Sequence, residues 1–289
     1  MRLFLPIIFS TLIAFAIVRY DYFVPDPQYP VAANIFPPRF TTFSDQLWHY
    51  LNSWSRLTNV YDPPKIDAPY AYPYDGHIWT IPVEYHGSIL VFLMVLVTSR
   101  VNSTLRPVII SGNAIYNLWQ GDWDVFLFLS GVCLADVHVA LAAETPSKLQ
   151  VITKIMSNTV IQQILIWSAA LFGTLVLGCT EDLTELNYPS FFYNSLHAWA
   201  PQHYILYHKV VAFWTSIGAV MLITAMSFSP ILQRPFTTRF AQYLGFVSYA
   251  IYLLHGNVLY TIGTRILRVK LWRYPILHSG WLWGQVMKA

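Results

Sequence analysis

The chain has 289 residues, 55% of them hydrophobic, 17% aromatic and only 11% charged, and its mean hydropathy is +0.45. Roughly a quarter of the residues of an ordinary soluble domain are charged, so this composition excludes one and implies helices that face lipid. The net charge of +3 is spread over loops with no basic run, which excludes nucleic acid as a partner, and Cys133 and Cys179 are too few for a disulfide framework or a zinc site.

Arg2 opens the chain and the apolar run 3–18 follows, ended by Arg19-Tyr20-Asp21-Tyr22. That ending is a poor cleavage site, so the run reads as a spanning helix with Pro6 tolerated in its first turn, where no internal N–H bond is lost. Residues 19–78 form a long extracytoplasmic loop rich in Pro and Tyr, as in Tyr61-Asp62-Pro63-Pro64 and Pro69-Tyr70-Ala71-Tyr72-Pro73-Tyr74. Within it, Leu47, Trp48, Leu51, Trp54 and Leu57 recur at helical spacing over 44–58. This pattern predicts an amphipathic helix at the membrane interface, and a helix packed on the outer face of a bundle fits it as well.

Further spans are predicted at 79–98, 107–119, 125–142, 160–178, 210–228 and 243–263, of which 107–119 is short for a bilayer. The expectation is an all-α polytopic bundle of about seven transmembrane helices, a single domain over 1–289, integral to a membrane whose identity the sequence does not specify. Loop charges agree with the order. Arg100, Arg106, Lys148, Lys154, Arg234 and Arg239 fall on one side, and Asp122, Asp124, Glu181, Asp182 and Glu185 on the other. The basic tail (Arg265, Arg268, Lys270, Arg273, Lys288) breaks the alternation, so either one more helix is due or 243–263 is miscounted as a crossing.

Trp79-Thr80-Ile81-Pro82-Val83-Glu84-Tyr85-His86-Gly87-Ser88 concentrates the candidate chemistry. A carboxylate at membrane depth costs a few kcal/mol and is rarely kept without a task, which makes Glu84 a functional candidate; its alternative role is to stabilise the helix start, with Thr80 as cap. His77, Thr80, Glu84, Gly87 and Ser88 share one helical face, whereas His86 points away and reads as a packing residue. On the last span Gly245, Ser248, Tyr252 and His255 share a face of small and polar residues suited to close helix packing, and His255 is either a proton carrier or a buried, hydrogen-bonded ring. Asp124, after Gly121-Asp122-Trp123, reads as a cap for the next apolar run. His197, His203 and His208 have no metal-ligand spacing, and no phosphate-cradling loop or nucleophile elbow is present.

Three stretches carry a resemblance: Trp79-Thr80-Ile81-Pro82-Val83-Glu84-Tyr85-x-Gly87-Ser88, Gly121-x-Trp123-Asp124-Val125-x-Leu127-Phe128-Leu129-x-Gly131, and Leu244-Gly245-x-x-Ser248-Tyr249-Ala250-Ile251-Tyr252-Leu253-x-His255-Gly256. In order and spacing they resemble the acyltransferase-3 membrane proteins, above all the fungal ones, and Arg2-Leu3-Phe4-Leu5-Pro6 looks like the start of that family's third helix. The resemblance implies an integral membrane O-acyltransferase that carries an acyl group, commonly acetyl from acetyl-CoA, to a hydroxyl of a carbohydrate, lipid or small molecule, with acyl-CoA as donor and no metal. The candidates for catalysis in this chain are Glu84 and His255, and those for substrate contacts are Trp79, Thr80, Ser88, Trp123, Asp124, Ser248 and Tyr252. The family's catalytic His follows an Arg on its first helix and has no counterpart here; Arg39 and His49 have nine residues between them and do not replace it. His86 stands where many relatives carry Arg. The chain is therefore expected to be a family member shortened at its N-terminus and at its C-terminus. The alternatives are a non-catalytic remnant of the family and a transporter in which Glu84 and His255 relay protons. The oligomeric state is not legible.

Overall fold

The computed structural model describes residues 3–22, 37, 39–59, 72–102, 105–142, 159–178, 191–207, 209–263 and 266. Among these residues every regular element is helical: α1 (Phe4–Arg19), α2 (Phe43–Leu57), a 3-10 turn (Gly76–Trp79) leading directly into α3 (Thr80–Thr98), α4 (Leu105–Gln120), α5 (Trp123–Ala142), α6 (Thr159–Leu177), α7 (Phe191–Trp199), α8 (Gln202–Leu206), α9 (Val210–Phe228), α10 (Pro230–Gln233) and α11 (Arg239–Val258), which ends in a π-helical turn (Leu259–Gly263). Cys179, His208, the charges between α5 and α6 and between α6 and α7, and the basic tail lie outside the described residues, as does much of the Pro- and Tyr-rich loop.

Among the described residues four helices are long and apolar enough to cross a membrane: Gly76–Thr98, Trp123–Ala140, Val160–Leu177 and Val210–Phe228. The other expected crossings are helical but miss that standard. At 16 residues each, α1 and α4 reach about 24 Å, short of the roughly 30 Å hydrocarbon layer. Helix α11 has 20 residues, but it opens on Arg239 and carries Gln242, His255 and Asn257 among its apolar positions.

The contacts divide the chain into two compact units, residues 1–83 with 239–289, and residues 84–238. In the first, Ile7, Ala14, Val18, Tyr50, Leu57, Tyr72, Tyr74, Ile78, Ile81 and Leu253 form one buried core. Several polar side chains buried beside it are hydrogen-bonded, which offsets the cost of taking them out of water. The Ser10 hydroxyl donates to the Leu253 carbonyl at 2.6 Å, Thr11 Oγ1 meets the Tyr50 hydroxyl at 2.9 Å, and Asn257 Nδ2 donates to the Ser10 carbonyl at 3.3 Å. Tyr74 accepts from Gln46 Nε2 at 3.0 Å and donates to the Gln46 carbonyl at 3.2 Å, and burial pushes its phenol upward from the ordinary value.

Helix α2 starts where Thr42 accepts the Asp45 N–H at 3.1 Å and donates to the Asp45 carboxylate at 2.6 Å, a cap that stabilises by about 1 kcal/mol. It forms where the spacing predicts, with its apolar stripe divided between the core and the outside. Gln46, Tyr50, Ser53 and Leu57 face the core, while Trp48 and Leu51 of the expected apolar stripe stay 73% and 52% exposed. The polar residues win the inner face because Tyr74, Thr11 and the Phe40 amide supply hydrogen-bond partners there.

In the second unit, α4 and α5 form a hairpin through Gly121, whose φ of 106° suits a residue without Cβ. Arg106 near the start of α4 meets Asp136 in the last turns of α5 at 2.8 Å. Helices α6 and α9 touch at Gly173 and Gly218, where a Cβ added to Gly173 would lie 2.8 Å from the Gly218 carbonyl oxygen. Small residues at such a crossing let two backbones meet in a membrane, where no hydrophobic force drives helices together. Tyr204 on α8 is fully buried and donates to the Leu118 carbonyl at 2.8 Å, and burial raises its phenol pKa.

Candidate functional site

The 3-10 turn before α3 explains how a polar cluster is built. Asp75 precedes it in extended backbone and its carboxylate accepts the His77 N–H at 3.0 Å, so Asp75 is the cap of this helical start and Thr80 is not. The same oxygen, Oδ1, lies 3.2 Å from His77 Nδ1. Asp75 is 3% exposed, and its second oxygen is buried without a hydrogen-bond partner among the described residues. Burial raises the Asp75 pKa above its ordinary value, opposed by the His77 N–H and by the charges of His77 and His255.

Helix α11 closes the cluster from the other side. The His255 ring packs edge-on against His77 with centroids 4.4 Å apart, and His255 Nδ1 lies 2.5 Å from the Tyr252 carbonyl, which can only accept. The proton of that bond is therefore on His255 Nδ1, which fixes the ring's tautomer when neutral. The Tyr252 hydroxyl donates to the His77 carbonyl in a short bond and lies 2.7 Å from Thr80 Oγ1. Tyrosine has one proton to give, so Thr80 donates to Tyr252. Gly256 permits the approach: a Cβ there would stand 2.7 Å from His77 Nδ1 and 3.3 Å from Asp75 Oδ1.

Of the residues singled out from the sequence, Thr80, Tyr252 and His255 thus meet in one place. Trp79 beside them is 39% exposed. Ser248 lies on the same helix as His255 but donates to its own Gly245 carbonyl at 2.8 Å on an exposed surface. The remaining candidates belong to the second unit. The Glu84 side chain is exposed and makes no hydrogen bond or ion pair among the described residues, and Ser88 donates back to the Glu84 carbonyl at 2.7 Å. Asp124 sits within the first turn of α5, one residue inside the helix. Gly87 seats the Phe128 ring, since a Cβ there would overlap it at 2.1 Å.

Sequence reasoning missed Asp75 altogether and gave His77 no role beyond a shared face. The available signal was Asp75-Gly76-His77 immediately before the Trp79 motif, an Asp placed to cap and a His placed to be held by it. Among the described residues no group of three or more His, Cys, Asp or Glu side chains is arranged to hold a metal ion.

No family model matches the chain, and no solved structure matches it. Curated relatives do. The chain is 27% identical over 286 residues to the O-acetyltransferase PaAT-1 of Phomopsis amygdali, covering 91% of this chain and 54% of that protein. It is 24% identical over 262 residues to the acyltransferase clz18 of Cochliobolus lunatus and 21% identical over 259 residues to the acyltransferase R4 of a Phoma species, each match covering 86% of this chain and 50% of the relative. All three are fungal acyltransferases by name. The chain spans about half the length of these relatives.

Proposed function

We propose that this chain is an integral membrane O-acyltransferase of the acyltransferase-3 kind, which moves an acyl group, acetyl in the simplest case, from acyl-CoA to a hydroxyl on a carbohydrate, lipid or small molecule. The observation that carries the reading is the alignment of nearly the whole chain with proteins named O-acetyltransferase and acyltransferase. Two features favour it. The four long apolar helices suit a membrane protein, and the Thr80, Tyr252 and His255 cluster supplies the imidazole and hydroxyl groups that acyl transfer to oxygen needs. In this reading His255 takes part in proton handling, and Glu84, an exposed carboxylate at the start of an apolar helix, orients the acceptor. Trp79, Ser88, Trp123, Asp124 and Ser248 are assigned to substrate contacts on the strength of the motifs alone.

The test uses membranes from cells expressing the chain, radiolabelled acetyl-CoA, and three acceptors: a monosaccharide, a long-chain alcohol and a phenol. Labelled ester above the level of control membranes is the expected result, reduced by Glu84→Gln. No ester with any acceptor overturns the reading, and substrate flux that follows a pH gradient without an acyl donor replaces it with transport.

A further inference from the structure

Helix α2 has three sides rather than two. At about 100° per residue, the core-facing Gln46, Tyr50, Ser53 and Leu57 occupy roughly 60° of its circumference. The next sector, about 140° wide, carries Phe43, Leu47, Trp48 and Leu51, which are 56%, 37%, 73% and 52% exposed. Beyond it Asp45, Asn52 and Arg56 share a narrow polar sector that is also exposed. Ser44 and Ser55 fall inside the apolar sector, but the Ser55 hydroxyl donates to the Asn52 carbonyl at 2.8 Å and Ser44 Oγ lies 3.1 Å from Thr42 Oγ1, so each hydroxyl already has a partner. A helix that spends one side on protein and divides the remainder between apolar and charged residues matches the three surroundings of a membrane interface, which are protein, lipid and water.

The place of α2 in its unit points the same way. It packs near the C-terminal end of α1, where the Phe15 ring centroid lies 6.0 Å from that of Phe43 and 5.3 Å from that of Tyr50. One turn later α1 ends at Arg19, which donates to the Phe40 carbonyl at 3.1 Å, and Asp21 follows, 4.0 Å from Arg39. Charges gather where the apolar stretch of α1 is over, so α2 lies at the level where lipid gives way to water, the level that Trp favours. Helix α1 also turns Leu5, Ile8, Phe9, Leu12 and Ile13 outward, so both helices of this corner present apolar side chains to their surroundings, as a contact surface does. We propose that Phe43, Leu47, Trp48 and Leu51 form a membrane-docking face that inserts into the interfacial layer of a lipid monolayer while Asp45, Asn52 and Arg56 stay in water. The face is independent of the reaction that the protein performs. Tyr74, which exchanges hydrogen bonds with Gln46 on the inner side of α2, directly precedes Asp75, so docking of α2 also anchors the segment that carries the polar cluster.

The test places a nitroxide in turn at Leu47→Cys, Trp48→Cys, Leu51→Cys, Asn52→Cys and Arg56→Cys, in the full chain carrying Cys133→Ser and Cys179→Ser and reconstituted into phosphatidylcholine vesicles. Collisions with oxygen, which dissolves in lipid, are expected to exceed those with a water-soluble nickel complex at the first three positions, and the order to reverse at the last two. Nickel contact at all five positions puts the face in water and overturns the proposal. Exclusion of both reagents from the first three also overturns it, because the face is then covered by protein, whether a second copy or another segment. Wild type supplies a second measurement that needs no substitution and so does not depend on the folding of a variant. A phosphatidylcholine with a diazirine on its acyl chain is photolysed beside the reconstituted protein and the adducts are mapped by mass spectrometry. Adducts are expected on Phe43, Leu47, Trp48 or Leu51 and not on Asn52 or Arg56; their absence from all four apolar residues overturns the proposal.

Discussion

Gly256→Ala perturbs the cluster without removing any of its functional groups. The added methyl would lie 2.7 Å from His77 Nδ1, about 0.7 Å inside the 3.4 Å at which ordinary contact begins, and 3.3 Å from Asp75 Oδ1. Alanine favours the helix over glycine by about 1 kcal/mol, so α11 itself gains while the His77 ring, on which His255 packs, must retreat by several tenths of an ångström. A misplacement of about 1 Å can cost roughly 10²-fold in rate, so a loss of about 10- to 100-fold in kcat is expected, equivalent to ~1.4 to 2.7 kcal/mol of barrier. The assay is acetyl transfer in membranes, with thermal unfolding in detergent alongside it. Gly245→Ala on the same helix is the control, because its Cβ would meet nothing within 4 Å. If Gly256→Ala keeps the rate of Gly245→Ala while melting at the same temperature, the reasoning that close approach sets the His77 position is wrong.

Arg106→Leu leaves Asp136, whose side chain is only 20% exposed, without its 2.8 Å partner, and is expected to destabilise by about 3 kcal/mol; Arg106→Leu with Asp136→Leu recovers most of the loss, read as melting temperature in detergent. Gly173→Ala is expected to cost about 1 to 3 kcal/mol because the nearest obstacle, at 2.8 Å, is the Gly218 backbone and cannot rotate aside; Gly112→Ala, with open space around it, should cost nothing in the same melt. The raised Asp75 pKa gives a pH signature. The folded state holds this proton more tightly than the unfolded chain does, so the contribution to stability is full below the ordinary value of 3.8 and is lost as pH rises from there through the folded value. Asp75→Asn lacks that loss, so its melting temperature should improve relative to wild type as pH increases from about 4 to 7; parallel curves would contradict the assignment.

Composition alone determined that helices dominate and that several of them suit lipid, because a run of apolar residues such as 210–228 has few ways to satisfy its backbone other than a helix. The residues that carry the resemblance were also legible, since Trp79 to Ser88 and Gly245 to Gly256 are local strings. Which face of α2 turns inward was not. Periodicity sees hydrophobicity, and it cannot see that Tyr74 and Thr11 wait inside with hydrogen-bond partners for Gln46 and Tyr50. The crossing count was not settled by apolar runs for a related reason: α1 and α4 are apolar but only 16 residues long, and α11 carries polar residues among its apolar ones. Above all, His77 and His255 are separated by most of the chain, and no spacing rule links them. Only the tertiary structure, by bringing Gly256 against the His77 ring, joins a capping aspartate and a histidine on one segment to a histidine and a tyrosine on another. The sequence supplied the groups, and the absence of one Cβ let them meet.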